Sequence, residues 1–249
     1  MIEKKYVNGW DDPRMPTISG LRRRGYTPES LKKFVELAGI AKRENLIDLS
    51  LLEFSVREHL NIISPRIMAV LNPVKLIIIN YPENSDEILE GEINPEKPEL
   101  GKRKIPFSRE LYIEREDFKE EANRKFYRLT LGKEVRLKNA YIIKGESVIK
   151  NNDGTIKEII CSYDPKSKSG SDSEESKRKV KGTIHWVTIK HSLVIDVNVY
   201  DRLFSVPSPD SDKEIDFKSF INSESLKKVK GYIEPSLSTA SKGDHFQFQ

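Results

Sequence analysis

From residue 66 onward the sequence is a succession of short apolar runs separated by turn signals, and this pattern constrains the fold more than any other feature. Residues 74–79 are a β-branched run that follows an Asn72-Pro73 turn, and residues 193–204 alternate apolar and polar side chains with a period of two. The tract lacks the regular alternation of strands with helices that a parallel sheet requires. It therefore predicts antiparallel barrels.

One hairpin is predicted directly by its turn. Asp153-Gly154 lies between the runs 134–150 and 155–163, and Asp-Gly between two such runs is the strongest short-range signal for a β-hairpin. Just before this hairpin, residues 115–123 carry apolar side chains four apart and predict a short helix.

Two polar stretches are expected to be loops. Residues 82–98 are acidic and rich in proline, which is typical of a surface loop. Residues 164–178 consist mainly of Ser, Lys, Asp and Glu without a large apolar side chain. Such a segment buries too little apolar surface to offset its ordering entropy, so we expect it to be flexible.

The first 64 residues have a helical pattern. Thr27 followed by a proline and an acid is a helix start, and Gly39 is placed to end that helix in a left-handed conformation. A second helix is expected to begin after Asp48 or Ser50 and to end before Pro65. The apolar faces of the two helices predict a helical hairpin.

Composition excludes several classes of function. The chain has one cysteine, Cys161, and four histidines, so a disulfide framework and a Cys/His zinc site are not expected. The sequence contains no apolar stretch of the roughly 18 residues that a membrane span needs and no signal peptide. We therefore expect a cytoplasmic protein without membrane contact. No nucleophile motif or Gly-rich phosphate loop is present either, which favours a binding protein over an enzyme.

The strongest charge asymmetry lies in residues 124–144, which hold seven basic residues and one acidic residue, Glu134. Phe126, Tyr127 and Tyr141 interleave with these cations. Cations hold phosphates and aromatic rings stack on unpaired bases, so the mixture is typical of single-stranded nucleic-acid binding. The alternative is that the cations merely keep a strand edge solvated.

A second basic cluster, Arg22, Arg23 and Arg24, precedes the first helix start. These arginines are candidates for phosphate contacts. Alternatively, they pair with Asp11 and Asp12 and fix the loop that leads into the helix.

Residues 9–26 (GWDDPRMPTISGLRRRGY) resemble the segment that follows the signature lysine loop of the glutaminyl-tRNA synthetases, and a continuous run of this length is specific. Further similarities extend over the whole chain, at residues 73–76, 118–123, 131–137, 182–187, 200–207 and 246–248.

The resemblance implies a mainly β fold with α-helices: a helical subdomain followed by two antiparallel β-barrels, the distal barrel interrupting the proximal one. Its boundaries would be 1–64 for the helical subdomain, 65–124 for the first part of the proximal barrel, 125–206 for the distal barrel and 207–249 for the return to a proximal barrel truncated at its C-terminus. The family is a class I ligase that joins glutamine to its tRNA with ATP and Mg²⁺.

Neither the His-containing ATP signature nor the Lys-Met-Ser-Lys loop is found here. We therefore expect the fragment to have no cofactor and no catalytic activity of its own, and to be a monomer that recognises the anticodon loop and stem of glutamine tRNA.

The resemblance also implies roles for single residues. Arg66 and Gln247 match positions that bind the middle anticodon base, Arg128 one that binds the third base, and Arg136 and Lys138 fall at the pocket of the first base. Arginine presents paired donors and glutamine both donates and accepts, which suits base recognition. Lys125 and Tyr127 are further anticodon candidates that depart from the family pattern, and Lys138 stands where that pattern has arginine. Candidates for the tRNA backbone are Arg22, Arg23, Arg24, Arg124 and Lys133.

Two other interpretations stay open. The eukaryote-like glutamyl-tRNA synthetases share the barrels, although the sequence of residues 19–24 favours the glutamine enzyme. A non-catalytic barrel that binds structured RNA or protein would keep the fold and read no anticodon. Binding that is insensitive to the anticodon sequence would identify it.

Overall fold

The computed structural model describes residues 1–43 and 45–248. Four α-helices are present in this part of the chain: α1 (Ile18–Arg23), α2 (Pro28–Ala38), α3 (Leu49–Ile63) and α4 (Glu174–Lys177). Five short 3₁₀ helices cover Pro98–Leu100, Arg115–Asp117, Pro165–Ser167, Phe217–Phe220 and Pro235–Thr239.

The rest of the regular structure is β. The strands are β1 (Arg66–Ile67), β2 (Ala69–Val70), β3 (Pro73–Ile78), β4 (Glu87–Glu92), β5 (Lys102–Phe107), β6 (Glu110–Glu114), β7 (Glu134–Leu137), β8 (Ile142–Lys150), β9 (Ile156–Tyr163), β10 (Thr183–Ile184), β11 (Val187–Thr188), β12 (Leu193–Tyr200), β13 (Leu226–Ile233) and β14 (Gln247–Phe248). The predicted class, mainly β with α-helices, is confirmed.

The chain forms two compact units. The first contains Met1–Ser64, Asp196–Val229 and Lys242–Gln247, and the second contains Pro65–Ile195, Lys230–Ser241 and Phe248. The arrangement of two barrels, the separate helical subdomain and the four predicted boundaries stay predictions.

In the first unit, the helix signals are confirmed. The Thr27 side chain accepts a hydrogen bond from the Ser30 amide at the start of α2, and Gly39 ends the helix at φ 69°. The Asp48 side chain caps α3 by accepting from the Ser50 amide. The two helices pack against each other.

The second unit is built around a seven-stranded sheet in the order β10-β7-β8-β9-β3-β6-β11. Its core contains fully buried Leu76, Phe107, Leu111 and Trp186. The predicted hairpin is confirmed by the antiparallel pair β8 and β9 and by Gly154, whose φ is 83°. Most neighbouring strands of this sheet pair antiparallel, as predicted, but the sheet is mixed, because β3 and β9 are parallel and so are β7 and β10.

Two predicted elements are corrected. Residues 82–98 are not only a loop, since β4 pairs antiparallel with β5. Leu89 and Gly91 of β4 are buried, whereas Ile88, Glu90 and Glu92 are exposed, so the sequence does not alternate between apolar and polar residues. The predicted helix over 115–123 is wrong beyond the 3₁₀ turn Arg115–Asp117. The Lys119 amide donates instead to the Leu129 carbonyl, which draws this segment into the sheet region.

Residues 164–178 also differ from the expected flexible loop. They contain a 3₁₀ turn and α4, and the Ser167 side chain is fully buried. Its hydroxyl donates to the Asp164 carbonyl and accepts from the Ile142 amide. A network of hydroxyl hydrogen bonds satisfies the backbone here without an apolar core.

Candidate nucleic-acid interface

A polar groove of about 700 Å³ lies in the second unit and collects several of the predicted cations. Its lining brings together Arg66 from β1 and Lys138, which follows β7. The structure thus places in one groove two residues that the resemblance assigned to neighbouring anticodon bases. The other side chains that matter here are Lys102, Arg103, Asn139, Lys168, Glu90 and Glu92.

The backbone around Lys138 is fixed from both sides. Its amide donates to the Ile184 carbonyl, and its carbonyl accepts from Nε1 of buried Trp186, both at 2.9 Å. Asn139 then turns the chain at a left-handed φ of 59°, a conformation that asparagine tolerates better than most residues. The lysine is therefore held at the groove by a rigid turn.

Two other cationic side chains act on Lys138 in the groove. Burial lowers the pKa of the Lys138 ammonium, and the positive charges of Arg103 and Arg66 lower it further. Arg66 and Arg103 are themselves buried, at 9% and 8% exposure. Glu234 pairs with Arg103, and Glu90 and Glu92 also line the groove, so the positive charge that can meet an anion or the acceptor oxygens of a base is centred on Lys138.

Arg103 is a functional candidate that the sequence analysis missed. Its Nε and Nη2 donate to the Glu234 carboxylate at 2.8 and 2.9 Å, and both side chains are almost fully buried. Glu234 also accepts from the Met68 amide at 2.8 Å, two residues from Arg66. The sequence contained a signal for Arg103, because this residue lies on the apolar face of β5 with Ile105 and Phe107. Arginine is rare at such a buried position unless it has a partner.

Arg128 lies apart from this groove lining and is half exposed. Its Nε contacts Oδ1 of Asp117 at 3.0 Å and its Nη1 donates to the Thr183 carbonyl at 3.1 Å. Burial raises the pKa of the Asp117 carboxyl, while the charges of Arg128 and His185 lower it. The guanidinium is therefore oriented by a carboxylate and keeps donors for a ligand.

A close backbone contact fixes the segment in front of Arg128. A Cβ on Gly182 would lie 2.0 Å from the Tyr127 carbonyl oxygen, so only glycine fits there. The Gly182 carbonyl in turn accepts from the Arg136 amide at 2.9 Å. The side chain of Tyr127 is 53% exposed, so its ring is accessible from solvent for stacking.

Arg136 is engaged within the protein. Its Nη1 donates to the Ser167 carbonyl at 2.9 Å and to the Ser169 hydroxyl at 3.2 Å. Its Nη2 donates to the carbonyls of Ser176 at 2.9 Å and Arg178 at 3.4 Å. Burial, and then the charge of Arg178, lower the pKa of this guanidinium.

The remaining candidates are more exposed. Arg124, Lys125 and Lys133 are on the surface of the second unit. In the first unit, Arg22 is exposed, Arg23 pairs with Asp11 at 2.8 Å and Arg24 donates to the Tyr200 carbonyl. The alternative interpretation, in which these arginines pair with Asp11 and Asp12, therefore holds for Arg23 and Asp11. Asp12 pairs with Arg14 and not with the cluster.

Gln247 belongs to the first unit. It lines a shallow groove of about 310 Å³ with Tyr26, Arg57, Leu60 and Phe246. Its predicted contact with the middle base stays a prediction.

Three families of known domains match this chain. Residues 1–62 match the catalytic domain of the class I tRNA synthetases (E and Q). Residues 64–164 and 183–249 each match an anticodon-binding domain of the same class.

Curated relatives agree with these matches. The chain is 50% identical over all 249 residues to a glutamine--tRNA ligase of Enterobacter sp. (strain 638). It is 51% identical, again over its whole length, to the enzyme of the same name from Salmonella newport (strain SL254). The chain spans 44% of the length of each of these two relatives.

Proposed function

Since this chain belongs to the class I tRNA synthetases of the glutamate and glutamine group, we propose that it binds the anticodon loop of glutamine tRNA. The relatives at about 50% identity carry the name of the glutamine enzyme, which favours glutamine tRNA over glutamate tRNA. The full protein would be a glutamine--tRNA ligase, and this part of it would select the tRNA.

The single observation that carries the proposal is the groove that holds Arg66 and Lys138. A splayed base needs a concave site with fixed donors for its edge and positive charge for its phosphate. The groove supplies both, because Arg66 is a buried guanidinium and Lys138 is a cation held by a rigid turn. Arg128, oriented by Asp117, supplies a second donor site for another base.

In finer detail, we propose that the second unit contains the distal barrel and most of the proximal barrel. The mixed seven-stranded sheet supports this only at the level of a mainly β unit. A monomeric state, a cytoplasmic location and the predicted domain boundaries stay predictions. Among the described residues, no helix is long and apolar enough to cross a membrane.

ATP and Mg²⁺ belong to the proposed activity of the full protein. Within residues 1–43 and 45–248, no three His, Cys, Asp or Glu side chains lie together as a metal site. The sequence also lacks a Gly-rich phosphate loop. We assign no residue of this chain to ATP, Mg²⁺ or adenylate formation, and the absence of a cofactor from this part of the protein stays a prediction.

Filter binding tests the proposal. Labelled glutamine tRNA is compared with three variants of it, each carrying one substituted anticodon base. We expect each substitution to weaken binding by about 1 to 3 kcal/mol, the usual cost of a wrong base in a specific contact. Equal affinity for all four RNAs would contradict anticodon recognition and favour the non-catalytic RNA-binding module.

A further inference from the structure

The serine-rich segment 164–178 forms one wall of the groove, and this wall is built from polar contacts. Residues 168–171 line the groove. The segment has one fully buried side chain, Ser167, so its conformation depends on hydrogen bonds rather than on apolar packing.

Arg136 is the largest single source of these hydrogen bonds. Its two terminal nitrogens reach four acceptors spread from residue 167 to residue 178. Three of the acceptors are backbone carbonyls, so they belong to the main chain of the segment and not to its side chains. A planar guanidinium can serve several acceptors at fixed angles at once, whereas an ammonium is a single point charge.

The two ends of the segment are closed by a second arginine. Arg178 donates to the Glu134 carboxylate at 2.7 and 3.0 Å and to Asp164 at 3.1 Å. Arg136, in contrast, has no carboxylate within 4.0 Å among the residues that the structure describes. Its charge is therefore not cancelled by a direct partner.

We propose that Arg136 is a positioning residue that holds segment 164–178 as the wall of the groove, rather than a residue that grips the first base directly. This inference rests on the proposed function for its consequence in RNA binding. The four acceptors occupy both terminal nitrogens of Arg136, and Lys168, Ser169 and Ser171 of the segment are the groups it presents to the groove.

The first arm of the test needs no RNA. Amide hydrogen exchange is measured on the free chain and on Arg136→Ala, Arg136→Lys and the charge control Lys157→Ala, which removes an exposed side chain of β9. We expect exchange across residues 167–178 to rise at least about tenfold in both Arg136 variants, since lysine cannot reach four acceptors. Lys157→Ala should match the wild type.

The second arm uses Ser167, whose side chain is fully buried. Ser167→Ala removes the other anchor of the segment, its bonds to Asp164 and Ile142. Affinity for glutamine tRNA is measured for Arg136→Ala, Ser167→Ala and the double variant, with circular dichroism as the check on folding. If both residues act through the segment, the double variant loses clearly less than the product of the two single losses.

Two results would overturn the inference. One is unchanged exchange in residues 167–178 of Arg136→Ala together with a loss of tRNA affinity, which would make Arg136 a direct contact. The other is a double variant whose loss equals the product of the single losses. If the wild type itself ignores the anticodon, the proposed function fails, while the exchange arm still decides whether Arg136 holds the segment.

Discussion

At the scale of single residues, the cations of this chain differ by what holds them. Arg128 is oriented by a carboxylate, Arg136 donates to three carbonyls and a hydroxyl, and Lys138 is half-buried beside other cations. The sequence shows all three as basic residues within one short tract. It does not show their partners, because Asp117, Ser167 and Arg103 are distant in sequence and meet them only in the folded unit.

The role of Arg128 gives the first prediction. Arg128→Ala should lose about 1 to 3 kcal/mol of discrimination at the third anticodon base, because its guanidinium offers oriented donors to guanine. Asp117→Asn should shift discrimination in the same direction but less, since the guanidinium stays and only its orientation is released. Affinities for glutamine tRNA and for its third-base variant measure both effects. A uniform loss across all tRNAs would make Arg128 a phosphate contact.

The environment of Lys138 predicts a pH dependence. Its pKa lies below the ordinary lysine value of 10.5, so the ammonium loses its proton at a lower pH than an exposed lysine does. Because RNA favours the charged form, tRNA affinity should fall as pH rises from about 7 to about 10. Lys138→Arg should flatten this profile, since a guanidinium stays charged there.

The same lowered pKa has the opposite effect on stability. Between the folded pKa and the unfolded pKa of Lys138, the unfolded chain binds more protons, so the contribution of Lys138 to the free energy of unfolding rises with pH.

A tRNA affinity profile that is identical in wild type and Lys138→Arg would contradict a role for the Lys138 charge in RNA binding.

At the scale of elements, the sequence predicted the helices and the hairpin that are determined by neighbouring residues. The caps at Thr27 and Asp48 predicted α2 and α3, and the Asp-Gly turn predicted the β8–β9 hairpin. Strand β4 was missed because its exposed face carries an isoleucine beside glutamates and its buried face a glycine, and segment 164–178 was misjudged because serine hydroxyls order it. Ordering by long-range polar contacts leaves no periodic signal in the sequence.

The pair Arg103–Glu234 links β5 to the 3₁₀ turn at Pro235–Thr239 and gives a prediction about stability. Glu234→Gln leaves a buried guanidinium without its counter-charge, which should lower the free energy of unfolding by about 3 to 5 kcal/mol. Urea unfolding followed by the fluorescence of Trp186, which is fully buried in this unit, measures it.

The matched control is Glu90→Gln, which breaks the exposed pair of Glu90 with Lys102 at 2.9 Å. Surface pairs contribute little, so this variant should unfold close to the wild type. Equal unfolding midpoints for the two variants would mean that the buried pair contributes no more to stability than the exposed pair.

At the scale of the whole molecule, the net charge of +4 conceals the basic tract 124–144. Arg124, Lys125 and Lys133 are exposed in the second unit, and each phosphate contact of a single strand contributes about 0.7 to the slope of log K against log salt. Replacing all three by alanine should therefore lower that slope by about 2. An unchanged slope would remove them as backbone contacts.

The most direct test of the central claim is a crosslink. Glutamine tRNA with 4-thiouridine at the middle anticodon position is bound to the chain, irradiated, digested and mapped by mass spectrometry. If the groove binds the middle base, we expect crosslinked peptides that carry residues of the groove lining, which contains Arg66, Arg103 and Lys138. Crosslinks confined to peptides outside this lining would contradict it.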